Sequence, residues 1–533
     1  MSVFGDKPVP RFVVDKITEL VEAGETGKIY DEGTAVNALL RKVGIYDDRQ
    51  AGYYMLRIRI PGGWLNAEQA RTIGEIADEL CDRPPDSEYQ TDDFPERFLE
   101  LTTRQNIQLH WIRLDRMPEI WKRLGAVGIN TLQACGDTTR NITGCPVDGI
   151  DKDAFFDVGQ QVQELNDWLL DHPEESANLP RKFKIALTGC CEDCILSGVN
   201  DMAFMPARKD GVFGFHLRLG GGLSDYPRCA TDLEAFIRFD QVLPVVRACC
   251  RVYCDFGNFE DKAANRFRRV VSELGMDRIR AELEKRLDFP LEEAGEDLTS
   301  RARYDHVGVY EQRQKGLRYV GLAVPVGRMQ GSDFIEAARL AETYGDGGVR
   351  VTPRQNLVLS GVPEGRVDDL LDEPLLETYS PHADTFRRSV VACTSSPFCK
   401  FGILNTKRTG TDLADELDSC FRGLDLGPVR VHISGCKASC AQVQIADIGL
   451  RSSIAKDEDN TYPAFDICVG GNPTFGKLAR WIKGEVPVPN AIRGMKALID
   501  DFQKQRSDGD TFGEYVRGRD EKELAGYFEE NRI

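Results

Sequence analysis

No run of about 18 apolar residues occurs in this 533-residue chain, so nothing in it reads as a transmembrane helix. The first twenty residues lack a basic segment followed by an apolar stretch and a small-residue cleavage site, and a cytoplasmic protein is therefore expected. Basic excess is missing too. The formal net charge is −18, with no long Lys/Arg run, which argues against a nucleic-acid partner because phosphate contacts need surplus cations. Gly220–Gly222 does not extend to G-x-G-x-x-G, so no flavin or nicotinamide fingerprint stands out and electrons would have to come from a partner. Sixteen cysteines without a secretion pattern are not a disulfide framework, since cytosolic thiols stay reduced. Metal, cluster or burial must account for them.

What is present is a degenerate repeat. With 41% hydrophobic and 29% charged residues the chain can bury several cores. Met55–Pro61 reads as a strand followed by the amphipathic stretch Ala67–Cys81, and Tyr319–Pro325 followed by Asp333–Thr343 repeats it. Each unit is expected to close on a strand, Leu101–Leu109 and Val351–Leu359, whose shared Thr-x-Arg-Gln-Asn puts Arg104 and Arg354 in register. Further on, Leu187–Cys194 mirrors Ile433–Cys440, and the glycine turn Leu219–Gly222 mirrors Val469–Asn472. The expected fold is α+β and internally duplicated, each half pairing a small strand–helix–strand module with a larger cysteine-bearing one. Expected boundaries are an N-terminal arm at 1–50, first modules at 51–115 and 116–287, a charged linker at 288–305, and second modules at 306–372 and 373–533.

Cys393 and Cys399, then Cys436 and Cys440, form a C-x5-C…C-x3-C set in the second half. Four thiolates from two loops suit a cubane cluster, one sulfur per iron. Zinc fits the five-residue gap less well, because structural zinc usually shows tighter pairs. Four buried, unliganded cysteines are the bland alternative. In the first half Cys190 and Cys194 keep the C-x3-C position, while the partner pair reads as having drifted to Cys135 and Cys145. That is expected to be a relic of duplication, with a second metal site left open. Cys81, Cys229, Cys249, Cys250, Cys254, Cys420 and Cys468 read as core residues.

Cations cluster in the first half. Arg57 and Arg59 alternate with isoleucines and share one face, and Lys182 and Lys184 alternate around Phe183. With Arg140 they look like an anion pocket complementing the cysteines. Guanidinium groups orient oxyanions through paired hydrogen bonds, and lysines crowded by other cations have depressed pKa values and can donate protons.

These motifs resemble those of the assimilatory sulfite and nitrite reductases that couple a siroheme to a [4Fe–4S] cluster. The resemblance rests on Met55–Gly63, Leu101–His110, Leu179–Lys184, Asn200–Met202, Cys393–Cys399 and Ser434–Cys440, and covers nearly the whole chain after the arm. It implies two ferredoxin-like modules and two mixed α/β modules that hold siroheme and cluster. It also implies that Cys393, Cys399, Cys436 and Cys440 bind the cluster, the Cys440 sulfur doubling as axial siroheme ligand. Arg59, Arg140, Lys182 and Lys184 would face substrate; Arg104, Asn106, Arg354, Asn356, Asn472 and Arg480 would contact the macrocycle. Ferredoxin would be the electron donor. Within that family the Lys-x-Lys form ending at Lys184 looks like the sulfite enzymes, whereas nitrite enzymes tend to carry Lys-x-Asn, so reduction of sulfite to sulfide is expected, with nitrite to ammonia as the alternative; Gly136–Gly149 has a nitrite-reductase flavour. A non-enzymatic cluster carrier or zinc protein would need the cysteines but not the cations. Two features depart from the family pattern: Lys437-Ala-Ser439 between the last two ligands, and the additional Cys190, Cys191 and Cys194.

Overall fold

Apolar residues at alternating or helical spacing need a second surface to cover them, and the two small modules supply it to each other. The computed structural model describes residues 9–31, 33, 36–85, 96–261, 264–300, 305–457, 460–507 and 509–529. Parts of the expected arm (1–8) and linker (301–304) lie outside them. The first small sheet runs Ile45–Asp47, Tyr54–Ile58, Ile107–Ile112, Phe98–Leu101 and then Arg328–Gln330, a strand from the second half. The second runs Gly308–Glu311, Leu317–Leu322, Leu357–Pro363, Gly348–Val351 and then Trp64–Asn66, a strand from the first. The exchange is reciprocal, and one apolar core, including Leu56, Ile73, Leu109, Val320, Phe334 and Leu359, fills both modules.

Glycine makes the exchange possible. Gly63 has φ 79°, and a Cβ there would meet Val351 O at 2.3 Å, so only Gly lets the two chains pass. Helix Ala67–Leu80 starts on a capping box between Asn66 and Gln69. It packs on helix Gly331–Tyr344 where a Cβ on Gly74 would stand 2.7 Å from Ile335 Cγ1. Small residues at this crossing set the interhelical distance.

The two larger modules share a topology. In the first, Thr143–Gly144, Ile185–Leu187 and Met202–Lys209 run parallel, and Val212–Leu219 and Thr231–Ile237 continue antiparallel. In the second, Val390–Ala392, Val431–Ser434 and Ile448–Lys456 run parallel, and Thr461–Val469 and Arg480–Pro487 continue antiparallel. The α+β duplication is thus present in the fold. Within the segment read as a linker, Glu292–Glu293 and Glu296–Asp297 pair with the first-half sheet. Among the described residues no helix is long and apolar enough to cross a membrane.

One expectation is corrected. Leu101–Leu109 is not a single strand but two strands joined by a turn over Thr102–Asn106. Thr102 Oγ1 accepts from the amides of Arg104 at 3.3 Å and Asn106 at 3.0 Å, and Gln105 turns left-handed at φ 56°. A Thr side chain bonding forward to nearby amides competes with the sheet ladder and closes a turn instead. The second-half counterpart repeats it, with Gln355 at φ 64°.

Candidate active site and cofactor cradle

That turn places the first-half cations. With Gln105 pointing inward onto Gly62 O (2.6 Å) and Val351 O (3.0 Å), Arg104 is sent the other way. Its guanidinium donates to Asn200 Oδ1 (2.6 Å), Asn141 O (2.6 Å) and Ile185 O (3.3 Å). Arg59 is 2% exposed and donates to Asn166 Oδ1 at 2.8 Å. Arg140 is held by Gly136 O at 2.9 Å and Ala134 O at 3.2 Å. Lys182 and Lys184 flank Phe183, whose amide bonds Thr138 O at 2.9 Å, so both are half-buried on the face opposite the core.

The electrostatics show that these groups stand close together. Burial, and then the Arg140 charge, lowers the affinity of Arg59 and Arg104 for a proton. Burial and the nearby Arg266 and Arg140 bring the Lys182 ammonium down to about 7. Lys184 falls well below the ordinary lysine range through burial beside Arg104 and Lys182. Like charges gathered in excess of their one buried carboxylate, Asp201, are costly, which suits the set to an anion.

Sequence reading missed Arg266, Arg268, Asn141 and Asp201. Arg266 pairs with the fully buried Asp201 at 3.1 Å, and Asp201 also accepts from the Lys184 amide at 3.0 Å. No motif in the sequence singled out Asn265–Arg269; in the fold they lie against the glycine turn at 220–222, where a Cβ on Gly222 would meet Arg268 Nη1 at 2.9 Å.

The second-half thiols stand on loops leaving the C-terminal ends of two adjacent parallel strands, Val390–Ala392 before Cys393 and Val431–Ser434 before Cys436. The Gly435 amide donates to Cys393 Sγ at 3.2 Å, and a Cβ on Gly435 would meet Ser395 Oγ at 1.9 Å, so this residue must be Gly for the loops to meet. Burial, followed by the neighbouring Cys440, pushes the Cys393 thiol up to about 12, and Cys440 also acts on Cys399 and Cys436. The four are not among the sets whose donor atoms lie within 4.8 Å of one another, the spacing a single ion would ask for.

The first-half turn at Thr103 and the Lys182 side chain both come near the Cys440 loop. Thr103 Oγ1 donates to Cys440 O at 3.1 Å, and Cys440 is among the charges felt by Lys182. Beneath the cluster loop, Thr394 donates to Glu100 at 2.5 Å, Arg328 holds the other Glu100 oxygen at 2.6 Å, and His110 sits between Glu100 and Asp48 at 3.6 and 3.4 Å. Arg49 ties the same loop through Gly402 O at 2.6 Å.

The other expected contacts divide. Asn472 lies in the turn whose Pro473 meets Gly198, close to the Asn200 that binds Arg104. Asn106 is buried beside Arg104. Arg354 and Asn356 occupy the equivalent second-half turn and have different neighbours: Arg354 meets His432 at 3.3 Å and lines a cavity of about 410 Å³ with Arg388 and Arg430, while Asn356 holds the Val324 amide at 2.9 Å. Arg480 caps the C-terminal carbonyls Val516 O and Arg519 O at 2.8 and 3.0 Å.

The cysteine reading also needs correction. Cys135 is no partner of Cys145; its sulfur accepts from Arg57 at 3.2 Å. Cys420 is exposed, and Cys229 and Cys254 are only half-buried; Cys81, Cys249, Cys250 and Cys468 are core. Cys420 falls on the solvent side of its helix because it misses the spacing of Leu413, Leu417 and Phe421.

A polyanionic macrocycle needs buried donors left over by the protein, and they are present: Arg59 Nη2, Arg104 Nε, Arg266 Nε and Arg268 Nη1 are buried with no protein acceptor. The donors and thiols fit a siroheme and a cluster, and define an oxidoreductase that works on a small anion. The comparisons agree. Residues 135–291 and 383–514 match the family described as the nitrite and sulphite reductase 4Fe-4S domain, and 46–127 and 310–376 match the nitrite/sulfite reductase ferredoxin-like half domain. The chain belongs to this nitrite and sulfite reductase family, as a siroheme and [4Fe–4S] enzyme. It is 38% identical to the assimilatory ferredoxin-dependent nitrite reductase of Haloferax mediterranei, over 97% of this chain and 91% of the relative. It is 37% identical to the ferredoxin–nitrite reductase of Synechococcus elongatus, over 85% and 87%. The solved NirA protein of Mycobacterium tuberculosis superposes with a TM-score of 0.86 at 28% identity, covering 97% of both chains.

Proposed function

We propose that this enzyme reduces nitrite to ammonium with six electrons delivered one at a time by ferredoxin. The observation that carries the reading is the clustering of Arg140 with Arg59, Arg104 and Lys182, together with the Cys440 charge felt by Lys182. Relatives named as ferredoxin-dependent nitrite reductases support nitrite over sulfite, the substrate expected from Lys184 alone. Half-buried Lys184 has its affinity for a proton lowered by burial and then by Arg104 and Lys182, so this one side chain does not by itself argue for a dianion.

Cys393, Cys399, Cys436 and Cys440 would hold the cluster, and Arg104, Asn106, Asn472, Arg266 and Arg268 would bind siroheme carboxylates. When bound, the siroheme and cluster supply the redox centre and its electron reservoir. The protein's residues do the rest. Arg59 and Arg140 orient the anion, and their fixed charges stabilise it as negative charge builds. Lys182, poised near neutrality, gives up a proton as an N–O bond breaks and regains it from solvent. The turn at Thr103 fixes the distance between cations and cluster loop.

Anaerobically purified enzyme with reduced methyl viologen, and then with reduced ferredoxin, tests the reading. Ammonium from nitrite at a kcat/KM at least tenfold above that for sulfide from sulfite is expected. A sulfite preference would overturn the substrate assignment and leave the cofactors standing.

A further inference from the structure

The first half carries an altered copy of the cluster site. Cys145 and Asp151 have the five-residue gap of Cys393 and Cys399, and Cys190 and Cys194 the three-residue gap of Cys436 and Cys440. The supporting strands match as well: Thr143–Gly144 precedes Cys145, Ile185–Leu187 precedes Cys190, and the two run parallel, as their second-half counterparts do. Three thiols and one carboxylate therefore stand where the other half holds four thiols.

Their geometry differs from that of the cluster site. The sulfurs of Cys145 and Cys194 and a ring nitrogen of His306 lie within 4.8 Å of one another, and all three residues are buried. Cys190, 1% exposed, stands outside that trio but acts on Cys194 as a neighbouring charge, its sulfur donating to Asp151 Oδ2 at 3.0 Å. Ile150, Ala186, Met205, Tyr319 and Val358 wall the group in. A cubane inserts four irons between its ligands and needs them spread wider than this trio stands. A single tetrahedral ion, with bonds of about 2.3 Å to sulfur and about 2.0 Å to imidazole, draws its donors to within about 4 Å of each other.

We propose that Cys145, Cys194 and His306, completed by Cys190, form a structural zinc site. Each thiol would release its proton to solvent on binding, and Asp151 would pass from thiol acceptor to an outer partner held by Arg313, which already donates to Asp151 O at 3.2 Å. Sulfur-rich, closed and four-coordinate is the pattern of structural zinc. His306 precedes the second ferredoxin-like sheet, whereas the cysteines belong to the first-half module, so the ion would fasten the connection between the halves. The inference does not rest on the substrate assignment.

The test is the metal content of holoenzyme purified without chelator, measured by plasma mass spectrometry against protein and siroheme. About one zinc per chain is expected beyond the iron of the two cofactors, with an X-ray absorption fine structure dominated by sulfur at about 2.3 Å. Cys194→Ser is expected to lose at least tenfold in zinc while iron per siroheme is unchanged. Should that variant not fold, the wild-type absorption spectrum and the zinc content of His306→Gln still decide. The proposal is overturned by an oxygen-only zinc shell, by zinc retained in both variants, or by a Cys145–Cys194 disulfide in the isolated protein. It is equally overturned if wild type holds no zinc as purified and takes up none from zinc sulfate.

Discussion

Replacing Arg140 by Gln separates the two roles its charge would play. Its guanidinium bonds only backbone carbonyls, at Gly136 and Ala134, so its removal orphans no carboxylate. It also lowers the proton affinity of Arg59, Arg104 and Lys182. At an effective dielectric of ~20, a like charge one side-chain length away costs on the order of 1–2 kcal/mol, which is roughly one pH unit. The sign follows from which form of Lys182 is active. The ammonium donates the proton, so kcat/KM falls as pH rises through the lysine pKa, which is about 7 in the protein alone. Siroheme carboxylates favour the ammonium and set where that limb lies in the holoenzyme, but its displacement on substitution belongs to Arg140. Arg140→Gln should therefore move the limb up by about one unit. It should also lower kcat/KM for nitrite by roughly 10- to 100-fold, the worth of about 1.5–3 kcal/mol in charge-assisted bonds. Methyl viologen oxidation, followed from pH 6 to 10 in wild type and variant at matched siroheme content, measures both. An unmoved limb together with an unchanged KM would refute the reasoning, because it would mean that Arg140 senses neither Lys182 nor the anion.

Four further outcomes are expected. Gly435→Ala, whose Cβ would fall 1.9 Å from Ser395 Oγ, should separate the two cysteine loops, and iron per chain should drop by more than half in colorimetric assay. Asp447→Asn removes the carboxylate charge from a bidentate pair with Arg430 (2.8 and 2.9 Å; side chains 4% and 1% exposed), whose guanidinium keeps its bond to Gly471 O; a loss of about 1–3 kcal/mol should appear in denaturant unfolding. Gly74→Ala should cost about 1–3 kcal/mol by forcing apart the helices Ala67–Leu80 and Gly331–Tyr344, read as a lower Tm. Lys184→Asn should leave the nitrite preference intact, since the relatives named as nitrite reductases, rather than this one side chain, support the assignment; a tenfold swing in the nitrite-to-sulfite ratio of kcat/KM would contradict that.

The sequence by itself determined the duplication and the α+β class, because both are written in local spacing. Strand alternation, helix periodicity and the gaps between Cys393, Cys399, Cys436 and Cys440 depend on a few neighbouring residues. The tertiary structure decided what depends on residues far apart. Thr102 turned an apparent strand into the turn that aims Arg104, through bonds that strand propensity does not register. Trp64–Asn66 and Arg328–Gln330 changed places between sheets because the apolar core is shared by the two modules. Arg266 and Arg268, which no sequence motif marked, came to the site because Asp201 and the glycine turn received them. Cys145 found Cys194 and His306 rather than Cys135, since parallel strand pairing, not sequence distance, sets which loops meet. Lys184 shows the limit most directly: its identity alone pointed to sulfite, and its half-buried place beside Arg104 and Lys182, which lowers its affinity for a proton, is visible only in the fold.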